Sequence, residues 1–122
     1  MRNAINWFEI PATDFDRAVK FYSAILATEL YTTDMGGYKM AFLPSEDKGV
    51  GGAIVAGEGC APSATGTMVY LNAGEDLTDI LGRVEPNGGN VVMPKTLINE
   101  EIGYMAAFMD SEGGRVALHS QH

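Results

Sequence analysis

The segments Tyr38-Lys-Met-Ala-Phe-Leu-Pro-Ser-Glu46 and Tyr104-Met-Ala-Ala-Phe-Met-Asp-Ser-Glu112 read almost alike. Tyr, Ala, Phe, Ser and Glu recur at the same offsets, and Val50 and Val116 continue the register. A self-match of this kind in a chain of 122 residues indicates two copies of one supersecondary unit. The match also predicts which positions of the two halves correspond to each other.

The pattern of apolar residues around these segments predicts the same order of elements in both halves. Asp14 is a good N-cap for a helix whose apolar residues follow helical spacing, and the first half reads β-α-β-β-β. Its strands are predicted at 4–10, 29–33, 37–43 and 50–56. The second half repeats this order, with a helix that Asp76 caps, a helix end at 87–89, and strands at 67–72, 90–93, 104–109 and 115–120.

The predicted fold is therefore an α+β domain over residues 1–122, made of two tandem βαβββ modules that form an open, curved sheet around a pocket. The modules cover about 1–57 and 66–122, and the Gly-, Pro- and Ser-containing residues 58–65 link them. Strand alternation directs Phe8 and Ile10 toward the helix, so Trp7 and Glu9 point to the opposite, pocket-lining face. Pockets of this kind usually hold small molecules.

Charge and composition exclude several classes of partner. The formal net charge of −8 and the scattered Lys and Arg residues oppose binding to nucleic acid. No apolar run reaches the length of a membrane span, and residues 1–20 do not read as a signal peptide. The single cysteine, Cys60, has no partner for an internal disulfide. We therefore expect a cytoplasmic protein without membrane or nucleic-acid partners.

The chain resembles the vicinal oxygen chelate superfamily, which includes glyoxalase I, extradiol dioxygenases and bleomycin-resistance proteins. The resemblance covers the whole chain and rests on residues 6–14 with Ala18-Val-Lys-Phe-Tyr22 near the start. Near the end it rests on Ala107-Phe-Met-Asp-Ser-Glu-Gly-Gly-Arg-Val116, with Ser111 where Pro is common. It implies a homodimer and, in the enzymes of the family, a divalent metal that binds two oxygens of the substrate.

Carried over residue by residue, the four metal-ligand places of the family fall on Trp7, Met68, Ala117 and Gly51, or on Ala53 if the turn slips. None of these side chains offers the imidazole or oxygen donors that such metals prefer. The expectation is therefore that the protein has no metal site and no cofactor.

Glu9, Tyr70 and His119 stand two residues along from the vacant places, on the same face of their strands. Glu9 and His119 could act as a general base and acid, which would suit a glyoxalase-like lyase or isomerase with or without an atypical metal site. The same two residues could instead be structural, with His119 exposed near the chain end and Glu9 bonded to a backbone group or a Tyr.

The ligand-binding residues predicted for the pocket are Trp7, Glu9, Met68, Tyr70 and His119. Trp7 could either plug the cavity or offer a flat stacking surface for an aromatic or cationic ligand. The favoured function is a metal-free binder of a small molecule, and the lyase or isomerase is the alternative. Whether the chain is an enzyme stays open at this point.

Overall fold

The computed structural model describes residues 3–122, which form two helices, one short 3₁₀ turn and eight strands. The first half contains β1 (Trp7–Pro11), α1 (Phe15–Leu26), β2 (Tyr31–Met35), β3 (Tyr38–Phe42) and β4 (Gly51–Ala56). The second half contains β5 (Tyr70–Asn72), α2 (Thr78–Val84), the 3₁₀ turn Glu85–Asn87, β6 (Asn90–Asn99), β7 (Gly103–Met109) and β8 (Arg115–Ser120). The prediction of an α+β fold with two βαβββ modules is confirmed.

Each module builds one four-stranded mixed sheet. The strand orders are β1-β4-β3-β2 and β5-β8-β7-β6, so the first strand of each module pairs in parallel with its last strand. In both sheets β1 and β5 therefore occupy an edge. Residues 57–69 connect the two modules without a helix or strand.

The hydrophobic core lies between the sheets and the two helices. Helix α1 begins where the Asp14 carboxylate accepts a hydrogen bond from the Arg17 N–H at 3.1 Å, and it buries Phe21, Tyr22 and Ile25. The Phe21 ring packs on Phe108 of the second sheet, with ring centroids 5.9 Å apart. Because α1 touches both sheets, the two modules share one core.

The two segments that match in sequence do not occupy equivalent registers. Phe42 pairs with Ala53 across the first hairpin, whereas Phe108 pairs with Val116 across the second. The connection between the hairpin strands is three residues longer in the first module, at 43–50, than in the second, at 110–114. An odd shift reverses the faces of a strand, so Phe108 is fully buried beneath the helices while Phe42 lies on the opposite face.

Several element boundaries also differ from the predicted ones. Strand β5 is limited to Tyr70–Asn72 instead of 67–72, and β6 extends to Asn99 because register shifts let it continue past Met93. Helix α2 begins at Thr78, one residue later than a cap at Asp76 requires, although the Asp76 carboxylate still accepts from the Thr78 N–H at 2.9 Å. At the end of the 3₁₀ turn that follows α2, Gly88 adopts the left-handed conformation that the sequence predicts, with φ of 100°.

Candidate functional site

The two edge strands present matching side chains on the face away from the helices. Trp7 pairs with Gly51 in the first sheet, and Tyr70 pairs with Ala117 in the second. Two residues further along, Glu9 pairs with Ala53 and Asn72 pairs with His119. Each edge strand thus carries an aromatic residue followed by a polar residue: Trp7 with Glu9, and Tyr70 with Asn72.

A cavity of about 750 Å³ lies between these edge strands. Four of the five residues predicted to bind a ligand line it, namely Trp7, Glu9, Met68 and Tyr70. Its other lining residues come from β1 and β5, from the segments 43–44, 50–52 and 67–69, and from Ile5 and Leu26. Among the described residues that line it, Glu9 is the only one with a formal charge.

Trp7 forms one wall of this cavity and remains 42% exposed. Its indole N–H donates a hydrogen bond to Glu9 Oε2 at 3.3 Å, and its ring meets Phe42 edge-on at a centroid distance of 6.0 Å. These contacts hold the indole in place while part of its surface faces the cavity. The second aromatic wall, Tyr70, is 51% exposed.

The strand pairing defines four positions where the edge strands meet their neighbours: Trp7, Gly51, Tyr70 and Ala117. Of these four side chains, only that of Tyr70 contains an oxygen atom. Met68, which the resemblance aligns with a ligand place, lies before β5. A Cβ atom at residue 51 would lie 3.3 Å from Trp7 Cζ3 and 3.0 Å from Ser45 Oγ. The side chains at the family's ligand places therefore do not fit a divalent metal.

Within residues 3–122, no group of three or more His, Cys, Asp and Glu side chains is arranged to hold a metal ion. The same residues include no helix long and apolar enough to cross a membrane.

His119 lies outside the main cavity. Its Nε2 is 2.6 Å from the carbonyl oxygen of Ile102, and it lines a separate depression with Tyr70, Asn72, Gly74 and Gln121. Glu9 is instead bonded to Trp7. His119 and Glu9 therefore have separate hydrogen-bond partners, and no hydrogen bond in the described structure joins them as an acid–base pair.

The residues that carried the family resemblance turn out to join the two modules. Tyr22 donates a buried hydrogen bond of 2.7 Å to Asp110 Oδ2, and Asp110 Oδ1 accepts from the N–H groups of Glu112 and Gly114. Burial raises the pKa of Tyr22 well above its ordinary value, and the Asp110 carboxylate raises it further. The sequence indicated these positions as family signatures but did not predict their contact.

Glu112 forms a second contact between the modules. Its carboxylate accepts from the Thr13 and Asp14 N–H groups at 3.0 and 2.6 Å and from Arg17 Nε at 2.6 Å. Burial raises the pKa of this carboxyl, but the hydrogen bonds from Arg17, Asp14 and Ser111 outweigh that effect, so its pKa lies below the ordinary value. Glu112 therefore belongs to the framework rather than to the cavity.

Comparison with known protein families gives one match that spans the chain. The model of the family described as the "Glyoxalase/Bleomycin resistance protein/Dioxygenase superfamily" matches residues 4–118. A comparison with curated protein sequences gave no match.

Solved structures show the same fold at low sequence identity. Glyoxalase I from Zea mays superposes with a TM-score of 0.71 at 17% identity, covering 95% of this chain and 44% of the maize chain. A glyoxalase/bleomycin resistance protein from Albidiferax ferrireducens T118 gives a TM-score of 0.70 at 14% identity, covering 98% of this chain and 100% of that chain. A domain from Frankia sp. EAN1pec, described as glyoxylase/bleomycin resistance protein/dioxygenase, gives 0.68 at 16% identity, covering 100% and 98%. The chain thus spans less than half of the Zea mays chain but 100% and 98% of the other two chains.

Proposed function

Because the chain belongs to the glyoxalase/bleomycin resistance protein/dioxygenase superfamily, we propose that it binds a small aromatic molecule, cationic or neutral, in the cavity between β1 and β5 and that it does so without a metal ion. The observation that carries this proposal is the pair of exposed aromatic walls, Trp7 and Tyr70, on a cavity of about 750 Å³. Mostly apolar clefts with a few convergent polar groups are typical small-molecule sites.

The electrostatics of the site support a neutral or positively charged ligand. Glu9 is the only formally charged residue among those described around the cavity, and it adjoins the indole of Trp7 through their hydrogen bond. A cation in front of Trp7 would gain from the carboxylate and from the face of the ring. The formal net charge of −8 would also attract cations toward the protein.

The first experiment is a titration followed by fluorescence, since Trp7 is the only tryptophan. Two flat probes of equal ring size, cationic N-methylquinolinium and neutral 2-naphthol, are expected to quench Trp7. Glu9→Gln should weaken the binding of N-methylquinolinium roughly three- to tenfold, as expected for losing one partner of a partly exposed charge pair. The matched control Glu58→Gln alters an exposed carboxylate outside the cavity and should leave both affinities unchanged.

Absence of quenching by either probe would overturn the aromatic site. The metal-free part is tested separately, by elemental analysis of the purified protein and by its melting temperature with added divalent ions. Stoichiometric metal, or clear stabilisation by one ion that binds the native state, would contradict it.

We further propose that the protein acts as a cytoplasmic homodimer. Apolar side chains on the outer strand of the first sheet support an interface, because Tyr31 is 73% exposed and stacks on Phe42 at a centroid distance of 5.9 Å. Light scattering at several protein concentrations should give twice the mass of the chain. A constant monomer mass would contradict the dimer.

A further inference from the structure

The two edge strands share one layout but differ in chemistry. Glu9 stands beside Ala53 at the end of the first aromatic–polar pair, so that side offers a carboxylate next to a methyl group. Asn72 stands beside His119 at the equivalent place of the second pair, so that side offers an amide next to an imidazole. A ligand that lies along both strands would therefore meet a charged group at one end and neutral polar groups at the other.

The neutral polar residues Asn72 and His119 line a depression of about 400 Å³. Tyr70 and Asn72 line both this depression and the larger cavity, so β5 forms the wall that the two share. The depression contains no Lys or Arg among the described residues that line it. Its lining therefore suits a neutral hydrogen-bonding group better than an anion.

The hydrogen bonds inside the protein fix which atoms of His119 remain for a ligand. A carbonyl oxygen only accepts, so the contact of 2.6 Å with Ile102 requires that Nε2 of His119 carries a hydrogen. In the neutral ring Nδ1 is then an acceptor, and no hydrogen bond within residues 3–122 uses it. Gln121 Nε2 donates to the same Ile102 carbonyl at 3.2 Å and lines the same depression.

Asn72 supplies the complementary donor. Its Oδ1 accepts from the Gly74 N–H at 2.8 Å, which orients the side chain and leaves the amide NH₂ group as a donor. An acceptor on His119 and a donor on Asn72, on paired residues of adjacent strands, match a hydroxyl group, which both donates and accepts.

We infer that the ligand has two different ends: a flat body between Trp7 and Tyr70, a positively charged group beside Glu9, and a neutral hydroxyl or amide group bound by His119 Nδ1 and the Asn72 amide. This inference rests on the proposed function, because it assigns the second end of a ligand held in that same cavity. His119 is then a specificity-determining residue and has no role in acid–base chemistry.

Calorimetric titration with a matched pair of probes tests the inference. Tryptamine has a flat ring and an ammonium group, and 5-hydroxytryptamine adds a hydroxyl at the far end of the ring. The hydroxyl should tighten binding roughly three- to tenfold, as expected for one or two neutral hydrogen bonds. His119→Ala should reduce that gain, because the hydroxyl loses its acceptor.

Two further variants separate a binding role from a structural one. Asn72→Asp keeps the acceptor for Gly74 but removes the NH₂ donor, so it should also reduce the gain from the hydroxyl. His122→Ala, which removes the other, largely exposed histidine, should retain the gain.

The outcomes distinguish this inference from the proposed function. Equal affinities for the two amines, or a gain that is undiminished in either His119→Ala or Asn72→Asp, would overturn the two-ended ligand and leave the aromatic cavity standing. If neither amine binds while N-methylquinolinium still quenches Trp7, the two-ended ligand is likewise overturned and the aromatic cavity stands. Failure of the amines and of both flat probes would overturn both proposals.

Discussion

At the scale of single residues, two adjacent glycines decide how the edge strand β1 packs. The Trp7 ring lies over Gly51, and the Phe8 ring lies over Gly52 on the other face of the same strand. Glycine leaves room for these rings because it has no Cβ. The indole that walls the cavity thus occupies space that a metal-binding side chain at residue 51 would need.

Substitution of Gly52 tests this packing directly. A Cβ atom there would overlap the ring of Phe8, so Gly52→Ala should lower the free energy of unfolding by about 1–3 kcal/mol. Gly82, in helix α2, has open space around the same position, and Gly82→Ala should raise the stability by about 0.5–1 kcal/mol through helix propensity alone. Urea unfolding measures both, and a neutral Gly52→Ala would show that the ring moves aside freely.

The individual site residues show what could be predicted from sequence. Strand alternation correctly placed Trp7 and Glu9 on the face away from the helix, because that rule depends only on local geometry. The contact of His119 with the Ile102 carbonyl could not be predicted, because Ile102 lies 17 residues away in the turn before β7. No local pattern indicates such a contact.

At the scale of elements, the matching segments illustrate how a local resemblance can conceal a different register. Ala41 and Ala107 are both fully buried, yet Ala41 faces the helices and Ala107 faces away from them. The sequence predicted two similar hairpins, and both form. It could not predict the reversal of faces, because that follows from the difference of three residues between the loops.

The start of α1 depends on a residue from the other module, and this gives a prediction about pH. Glu112→Gln should destabilise the protein by about 1–2 kcal/mol near neutral pH, because the carboxylate accepts hydrogen bonds from Thr13 and Asp14 at the helix N-terminus.

The dependence on pH follows from the lowered pKa of Glu112. Its contribution is fully present above the unfolded-state pKa near 4.5 and is lost as the pH falls through the lower pKa of the folded state. Unfolding free energies of the wild type and Glu112→Gln should therefore converge in acid. A difference between them that stays constant from pH 7 to about 3 would contradict this role.

At the scale of the whole molecule, the contacts of α1 predict that the two modules unfold together. Phe21 packs on Phe108 of the second sheet, and Arg83 Nε of α2 donates to the Ile25 carbonyl of α1 at 2.9 Å. Neither sheet therefore has a complete core of its own. Trp7 fluorescence reports on the first module, and NMR signals of Met105 report on the second. Both should give one coincident unfolding transition, whereas separate midpoints would show that the modules are independent.

The buried hydrogen bond from Tyr22 to Asp110 is the sharpest test of this coupling. Tyr22→Phe removes the donor and leaves Asp110 Oδ2 buried without it, so the free energy of unfolding should fall by about 1–3 kcal/mol, and both reporters should shift together. Tyr38→Phe is the control, because that phenol is exposed and makes no hydrogen bond within residues 3–122, and it should change little.

High pH provides a second measurement of the same bond. The pKa of Tyr22 in the folded state is raised, so its contribution is present below the unfolded-state pKa of about 10 and is lost as the pH rises through the higher folded-state value. The wild type should therefore lose stability above about pH 10 more steeply than Tyr22→Phe does. If the two proteins lose stability in parallel, the phenol does not couple to folding in this way. If Tyr22→Phe shifts the unfolding midpoint of only one reporter, the bond stabilises one module without coupling it to the other.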